Sequence, residues 1–215
     1  MSRIVVIGGT GYAGSRIVAE ALARGHGVIS VARSAPDVVL EGVEYLQASI
    51  LDPGIRAHSF AGADVVVVAI SPLGDMAGRL HEACRAIAVD AAAVGARVLI
   101  IGSHNARRPA PGSPRVVESA DLPDAWRSLV EEVIGVYDEL REHAPDTLRW
   151  VYVSPAALFG AQAHVADTGT YQASGEVTPE PPSAPSRISA ADLALGVLDE
   201  IEHGTRNREI LSLNA

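Results

Sequence analysis

The stretch Val5-Val6-Ile7-Gly8-Gly9-Thr10-Gly11-Tyr12-Ala13-Gly14 decides the fold of this 215-residue chain. A short apolar run ends in Gly8, Gly11 and Gly14, spaced G-x-x-G-x-x-G, and helix-forming residues follow at once from Ser15 to Arg24. A strand that turns sharply into a helix needs glycine at the turn. It needs a second where a pyrophosphate approaches the backbone, and a third where helix and strand pack closely. The new helix then offers its first N–H groups and a positive dipole end to phosphate. Because the triplet follows a strand, precedes an amphipathic helix and leads to a second strand at 27–32, it reads as a dinucleotide-binding turn.

Outward from that turn, apolar strand candidates alternate with longer amphipathic stretches, the pattern of a parallel sheet covered on both faces. Strands are expected at 3–8, 27–32, 43–47, 64–70, 97–102 and 148–154, with 208–213 adding a last one. Helices are expected at about 12–24, 76–94, 124–143 and 189–203, with Gly25 and Gly95 as left-handed terminators. Residues 155–188 are rich in Pro, Gly, Ser and Thr, and Pro179 to Pro185 cannot be helix. The expected architecture is α/β: a single Rossmann-like doubly wound parallel sheet spanning residues 1–215, with 155–188 as a small substrate-side extension.

Composition bounds the function. The net charge of −9 disfavours nucleic acid or an anionic membrane surface as partner. No apolar run approaches membrane-spanning length, and a first strand at residue 3 leaves no room for a leader. Cys84 is the lone cysteine, which points to a reducing cytoplasm and to no disulfide. All 17 basic residues are arginine. Without lysine there is no Schiff base, no Walker loop and no Tyr-x-x-x-Lys pair; Tyr137 in Tyr137-Asp138-Glu139-Leu140-Arg141 is a superficial echo, read as a packing residue. His81-Glu82 lacks the second histidine of a zinc helix, no nucleophile elbow occurs, and no metal site is expected. Trp126 and Trp150 read as packing residues, and Glu131-Glu132 as a solvated helix face.

In a doubly wound sheet, ligands sit outside the carboxyl ends of the strands. The second strand ends at Arg33-Ser34, a bidentate cation beside a hydroxyl where an acidic residue would repel a 2′-phosphate; NADP(H) is therefore favoured over NAD(H). The fourth ends at Ala69-Ile70-Ser71, small enough to let a cofactor pass. The fifth ends at Ser103-His104, beside the expected nicotinamide, where Ser103 is expected to contact nicotinamide or substrate and His104 is either a proton donor or a substrate wall. Tyr171, in the 155–188 segment, is expected either as an aromatic wall for a flat acceptor, converging with Pro155 and His104, or as a pin for a surface loop.

The whole chain resembles the atypical short-chain dehydrogenase/reductases known as NAD(P)H-binding, NmrA-like proteins, and within them the NADH-flavin reductase and biliverdin-IXβ (flavin) reductase type. The resemblance rests on Gly8 to Gly14, Arg33, Trp150 with Ser154-Pro155, Thr168-Gly169-Thr170-Tyr171, and Ser186-Arg187-Ile188-Ser189 with Asp192-Leu193-Ala194. It implies a Rossmann fold, NADPH, and hydride transfer to a flavin or tetrapyrrole without a tyrosine–lysine pair. Carried over by position, Gly8, Thr10, Gly11, Tyr12 and Ala13 would cradle the pyrophosphate, and Arg33 the 2′-phosphate. Ser49 and Ile50 would flank adenine; Ala69, Ile70, Ser71, Ser103 and Pro155 would line the ribose and nicotinamide.

The chain departs from that family's pattern twice. Ala48-Ser49 stands for the usual Gly-Asp, and Gly102-Ser103-His104-Asn105-Ala106 for Gly-Gly-Ala-Gly-Ser. The expected function is an NADPH-dependent reductase of a flavin or similar flat small molecule, working as a monomer or homodimer. A non-catalytic redox sensor of NmrA-like type and a relative of nucleotide-sugar epimerases or dehydratases remain as alternatives.

Overall fold

A computed structural model describes residues 1–119, 123–179 and 184–215; of the Pro179–Pro185 stretch, 180–183 lie outside the described residues. Eight strands form one sheet: β1 (Arg3–Ile7), β2 (Gly27–Ala32), β3 (Val43–Gln47), β4 (Val65–Val68), β5 (Arg97–Ile101), β6 (Trp150–Ser154), β7 (Gln172–Ser174) and β8 (Glu209–Asn214). Their order is β3-β2-β1-β4-β5-β6-β8-β7, parallel except for β7, which runs antiparallel to β8. The chain moves outward one way from β1 to β3 and then returns to β4 on the other side of β1. That reversal opens a crevice above β1 and β4.

The side-chain period of two splits each strand between two cores. Val5, Ile7, Val66 and Val68 face one side, over which lie α2 (Pro53–Phe60), α3 (Leu80–Val94) and α5 (Asp124–His143). Ile4, Val6, Val65 and Val67 face the other, covered by α1 (Tyr12–Ala23) and α6 (Ala190–His203). The short helix α4 (Val116–Ser119) leads into the approach to α5.

Several expectations need correction. The fourth strand stops at Val68, and the third helix begins at Leu80 rather than 76. Residues Gly74–Met76 form a 3-10 turn, and Gly78 at φ +71 interrupts the passage into the helix. The helix α2 escaped the pattern because it is only eight residues long and opens on Pro53-Gly54; Asp52 caps it by accepting from the Gly54 N–H at 2.7 Å. Glu132 is not merely solvated. No side chain caps α3 from within, so Glu132 of α5 accepts from the N–H groups of Gly78 and Leu80 at 3.1 and 3.0 Å. Trp126 is 62% exposed, whereas Trp150 is buried as expected. The 155–188 segment is more than a loop. It contributes β7, and Leu158 forms an isolated bridge with Arg187.

Candidate cofactor and substrate site

The three glycines of the fingerprint have distinct tasks. Gly8 sits at φ +78, and a Cβ there would lie 2.4 Å from the Ala69 carbonyl oxygen. A Cβ on Gly14 would lie 2.0 Å from the Gly8 carbonyl oxygen, so helix and turn touch there. Gly9 is equally constrained, by the Ser30 hydroxyl beneath it. Gly11 differs: its backbone is ordinary (φ −80), and an added Cβ would meet only the Gly8 carbonyl oxygen, at 3.3 Å. Packing does not demand glycine at this position. It faces a cleft.

That cleft, of about 310 Å³, lies above the β1/β4 crevice. The structure brings to it Gly8, Thr10, Gly11, Arg33, Ser34, Ala48, Ser49, Ile50, Ala69, Ile70 and Ser71, together with Asp37 and Met76, which sequence reasoning did not single out. α1 begins at its edge with no side-chain cap and no acidic residue in its first turn, leaving the helix end to an anion. The far end is the turn 49–51, held by Arg56. That nine-tenths-buried guanidinium donates to the Ile50 and Leu51 carbonyls at 2.8 and 3.0 Å and to Asp90 at 2.6 Å. Arg33 is paired with Asp75 from the turn after β4, a partner that no local pattern announces.

Other expected residues lie outside this lining. Tyr12 opens α1 and packs its ring edge-on against Phe159 at 5.4 Å, while Ala13 packs toward the α1–α6 core. Ser103 lies two residues past β5; its hydroxyl accepts from the Asn105 backbone and side chain at 3.2 Å, and its N–H donates to the Tyr152 hydroxyl at 3.0 Å. His104, half-buried, begins the 3-10 turn His104–Ala106, and Pro155 is buried just past β6. The structure does not bring Tyr171 to the cleft. Its hydroxyl donates to Asp199 in the last turns of α6, beside Arg24 at the far end of α1. Both helices run away from the carboxyl edge, so the phenol points toward the opposite end of the sheet. Burial and the Asp199 carboxylate push its pKa up to about 12.

Residues silent in the sequence organise this edge. A Cβ on Gly102 would fall within 2.3 Å of three Tyr152 ring and hydroxyl atoms, so the β5 terminus is glycine to admit that ring. Arg107, fully buried, donates to the Ser154 hydroxyl (2.9 Å) and carbonyl (2.6 Å) and to Asn214 (2.7 Å), and Ser154 in turn donates to the Ser103 carbonyl at 2.9 Å. The strand ends of β5, β6 and β8 are thereby tied together. Leu158 donates to the Ser186 carbonyl at 2.8 Å and accepts from Ile188, which presents Phe159 on a rigid base. Tyr137 is buried between Trp150 and Tyr152 beneath Arg115, far from a donor role. Cys84 is buried, and its thiol is pushed up to about 12 by burial and by Glu132.

A family model described as NAD(P)H-binding matches residues 8–203. The chain belongs to that family. It is 30% identical to the uncharacterized protein YwnB of Bacillus subtilis over 96% of this chain and 95% of that one. A Streptococcus pneumoniae structure provisionally described as an NADH-flavin reductase superposes with a TM-score of 0.88 at 27% identity, covering 100% of this chain and 99% of that one. One from Bacteroides thetaiotaomicron, provisionally described as an epimerase, gives 0.84 at 26% identity over 99% and 96%. The chain is thus an NAD(P)H-binding protein of the atypical short-chain dehydrogenase/reductase kind, and its family and neighbours support oxidoreductase chemistry. Among the described residues no helix is long and apolar enough to cross a membrane.

Proposed function

We propose that this protein is an NADPH-dependent reductase that passes hydride to a flavin or a similarly flat small molecule. The observation that carries the reading is Gly11, a glycine required neither by backbone angle nor by packing, at the mouth of a cleft roofed by an uncapped helix end. The nicotinamide ring supplies the hydride when bound; the chain's own residues bind, orient and exclude water. Gly8, Thr10 and Gly11, with the first N–H groups of Tyr12 and Ala13, take the pyrophosphate. Ser49 and Ile50 take the adenine, and Arg33 with Ser34 takes the 2′-phosphate, giving NADP(H) its preference. Ala69, Ile70 and Ser71 lead the cofactor to the β4–β5 edge, where Ser103, His104 and Pro155 stand around the ring.

The flat acceptor rests against the Tyr12–Phe159 pair, which takes the place first expected of Tyr171. This pair joins the glycine turn to the segment after β6, so one aromatic wall serves both halves of the site. The epimerase alternative lacks its chemistry: there is no lysine, and Tyr137 is buried. The test follows NADPH oxidation at 340 nm with FMN, FAD, riboflavin and a tetrapyrrole as acceptors. Acceptor-dependent turnover is expected, with Phe159→Ala raising the acceptor KM about fivefold or more while the cofactor KM stays nearly constant. Tight cofactor binding with no turnover on any acceptor would replace the reductase by the redox-sensor reading.

A further inference from the structure

The Arg33–Asp75 pair spans the cleft's mouth. Arg33 extends from the end of β2 on one wall; Asp75 stands on the 3-10 turn Gly74–Met76 that follows β4 on the other. Gly74 (φ +64) and Gly78 (φ +71) flank that turn, Leu73 before it is 57% exposed, and its foot is fixed where Glu132 accepts from the Gly78 N–H. Met76, buried at 4% exposure, lines the cleft from the same turn, so the turn cannot move without reshaping the cavity.

We infer that Asp75 is a specificity-determining residue: its carboxylate occupies the seat of the 2′-phosphate on Arg33, and NADP(H) binds by displacing it and swinging the 73–77 turn outward. The inference rests on reading this cleft as the cofactor site. A 2′-phosphate carries about −1.5 to −2 charges at neutral pH and offers anionic oxygens of the kind that Asp75 places against the Arg33 Nη1. Two anions brought to one guanidinium, on a wall that already carries Asp37, repel each other, and the more highly charged phosphate displaces the carboxylate. NAD(H) brings no competing anion, and the latch stays closed over its adenosine. Cofactor identity is therefore written into the position of one turn. Because both partners are about half-exposed, the latch is weak enough to open at ordinary cofactor concentrations.

The experiment is calorimetric titration of NADP⁺ and NAD⁺ into the full chain, the Asp75→Asn variant and the Asp37→Asn variant. Asp37→Asn removes the same charge from the cleft without releasing Arg33. Asp75→Asn is expected to tighten NADP⁺ about three- to tenfold, to change NAD⁺ less than twofold, and to exceed the effect of Asp37→Asn. In the unmutated chain, hydrogen exchange across 73–77 is expected to speed up with NADP⁺ and slow down with NAD⁺. Equal gains from both variants, or an NADP⁺ affinity unchanged or weakened by Asp75→Asn, would overturn the latch while leaving the site intact. So would matching exchange with both cofactors. An unmutated chain that binds neither dinucleotide would overturn the site reading, and the latch with it.

Discussion

At the scale of single residues, the glycine turn between β1 and α1 divides its work three ways. Gly8 makes the turn at φ +78 and Gly14 the close packing of helix on turn, both legible from their spacing, while Gly11 faces the cleft. The position of Arg33 was legible too, but its partner was not, because Asp75 lies beyond another two strands. Of the two roles expected for Tyr171, wall or loop pin, its hydroxyl bond to Asp199 agrees with the pin, and that partner lies on a helix that the loop's composition does not mention. Gly11→Val is expected to abolish cofactor binding with little loss of stability, about 1 kcal/mol or less at this uncapped helix start. Thermal melts report the fold and titration the site; a folded variant that retains affinity would count against the cleft. Arg33→Ala should weaken NADP⁺ about tenfold or more and leave NAD⁺ nearly unchanged, and equal losses for both would remove Arg33 from the phosphate seat.

At the scale of elements, strands buried on both faces and long amphipathic helices were plain, because periodicity and apolar runs mark them. The eight-residue helix α2, the three-residue β7 and the shortened β4 were not, since each is decided by neighbours rather than by its own pattern. The 155–188 segment shows how such a piece is held. Asp192, fully buried in the first turn of α6, accepts from the Thr168 and Gly169 N–H groups at 2.9 and 2.8 Å and from the Thr168 hydroxyl at 3.0 Å. Burial alone would raise its pKa, but these donors outweigh it and hold the carboxyl below the usual aspartate range. The sign follows from that depression: the clamp's contribution is complete above the ordinary value of about 3.9 and is lost as pH falls through the lower folded value. Asp192→Asn should therefore cost about 2–4 kcal/mol at neutral pH, with the gap from the unmutated chain narrowing as pH falls below the ordinary aspartate range. A gap independent of pH would mean that the carboxylate's charge plays no part in the clamp.

At the scale of the whole molecule, two features converge at one edge. The reversal of strand order at β1/β4 opens the crevice, and the segment after β6 returns across the sheet to set Phe159 against Tyr12. The first was readable from the alternation of strands and helices; the second was not, because a contact between residues 12 and 159 leaves no mark on either stretch. The buried ties among Arg107, Ser154 and Ser103 make the β5–β6–β8 rim rigid, the kind of base on which a positioning mechanism depends. The central claim, that the cleft at Gly11 holds a nicotinamide dinucleotide with its 2′-phosphate on Arg33, is tested most directly by calorimetric titration of NADP⁺ and NAD⁺ into the unmutated chain. The account predicts one site per chain, with NADP⁺ bound about tenfold tighter than NAD⁺. Equal affinities, a preference for NAD⁺, or no binding of either would contradict it.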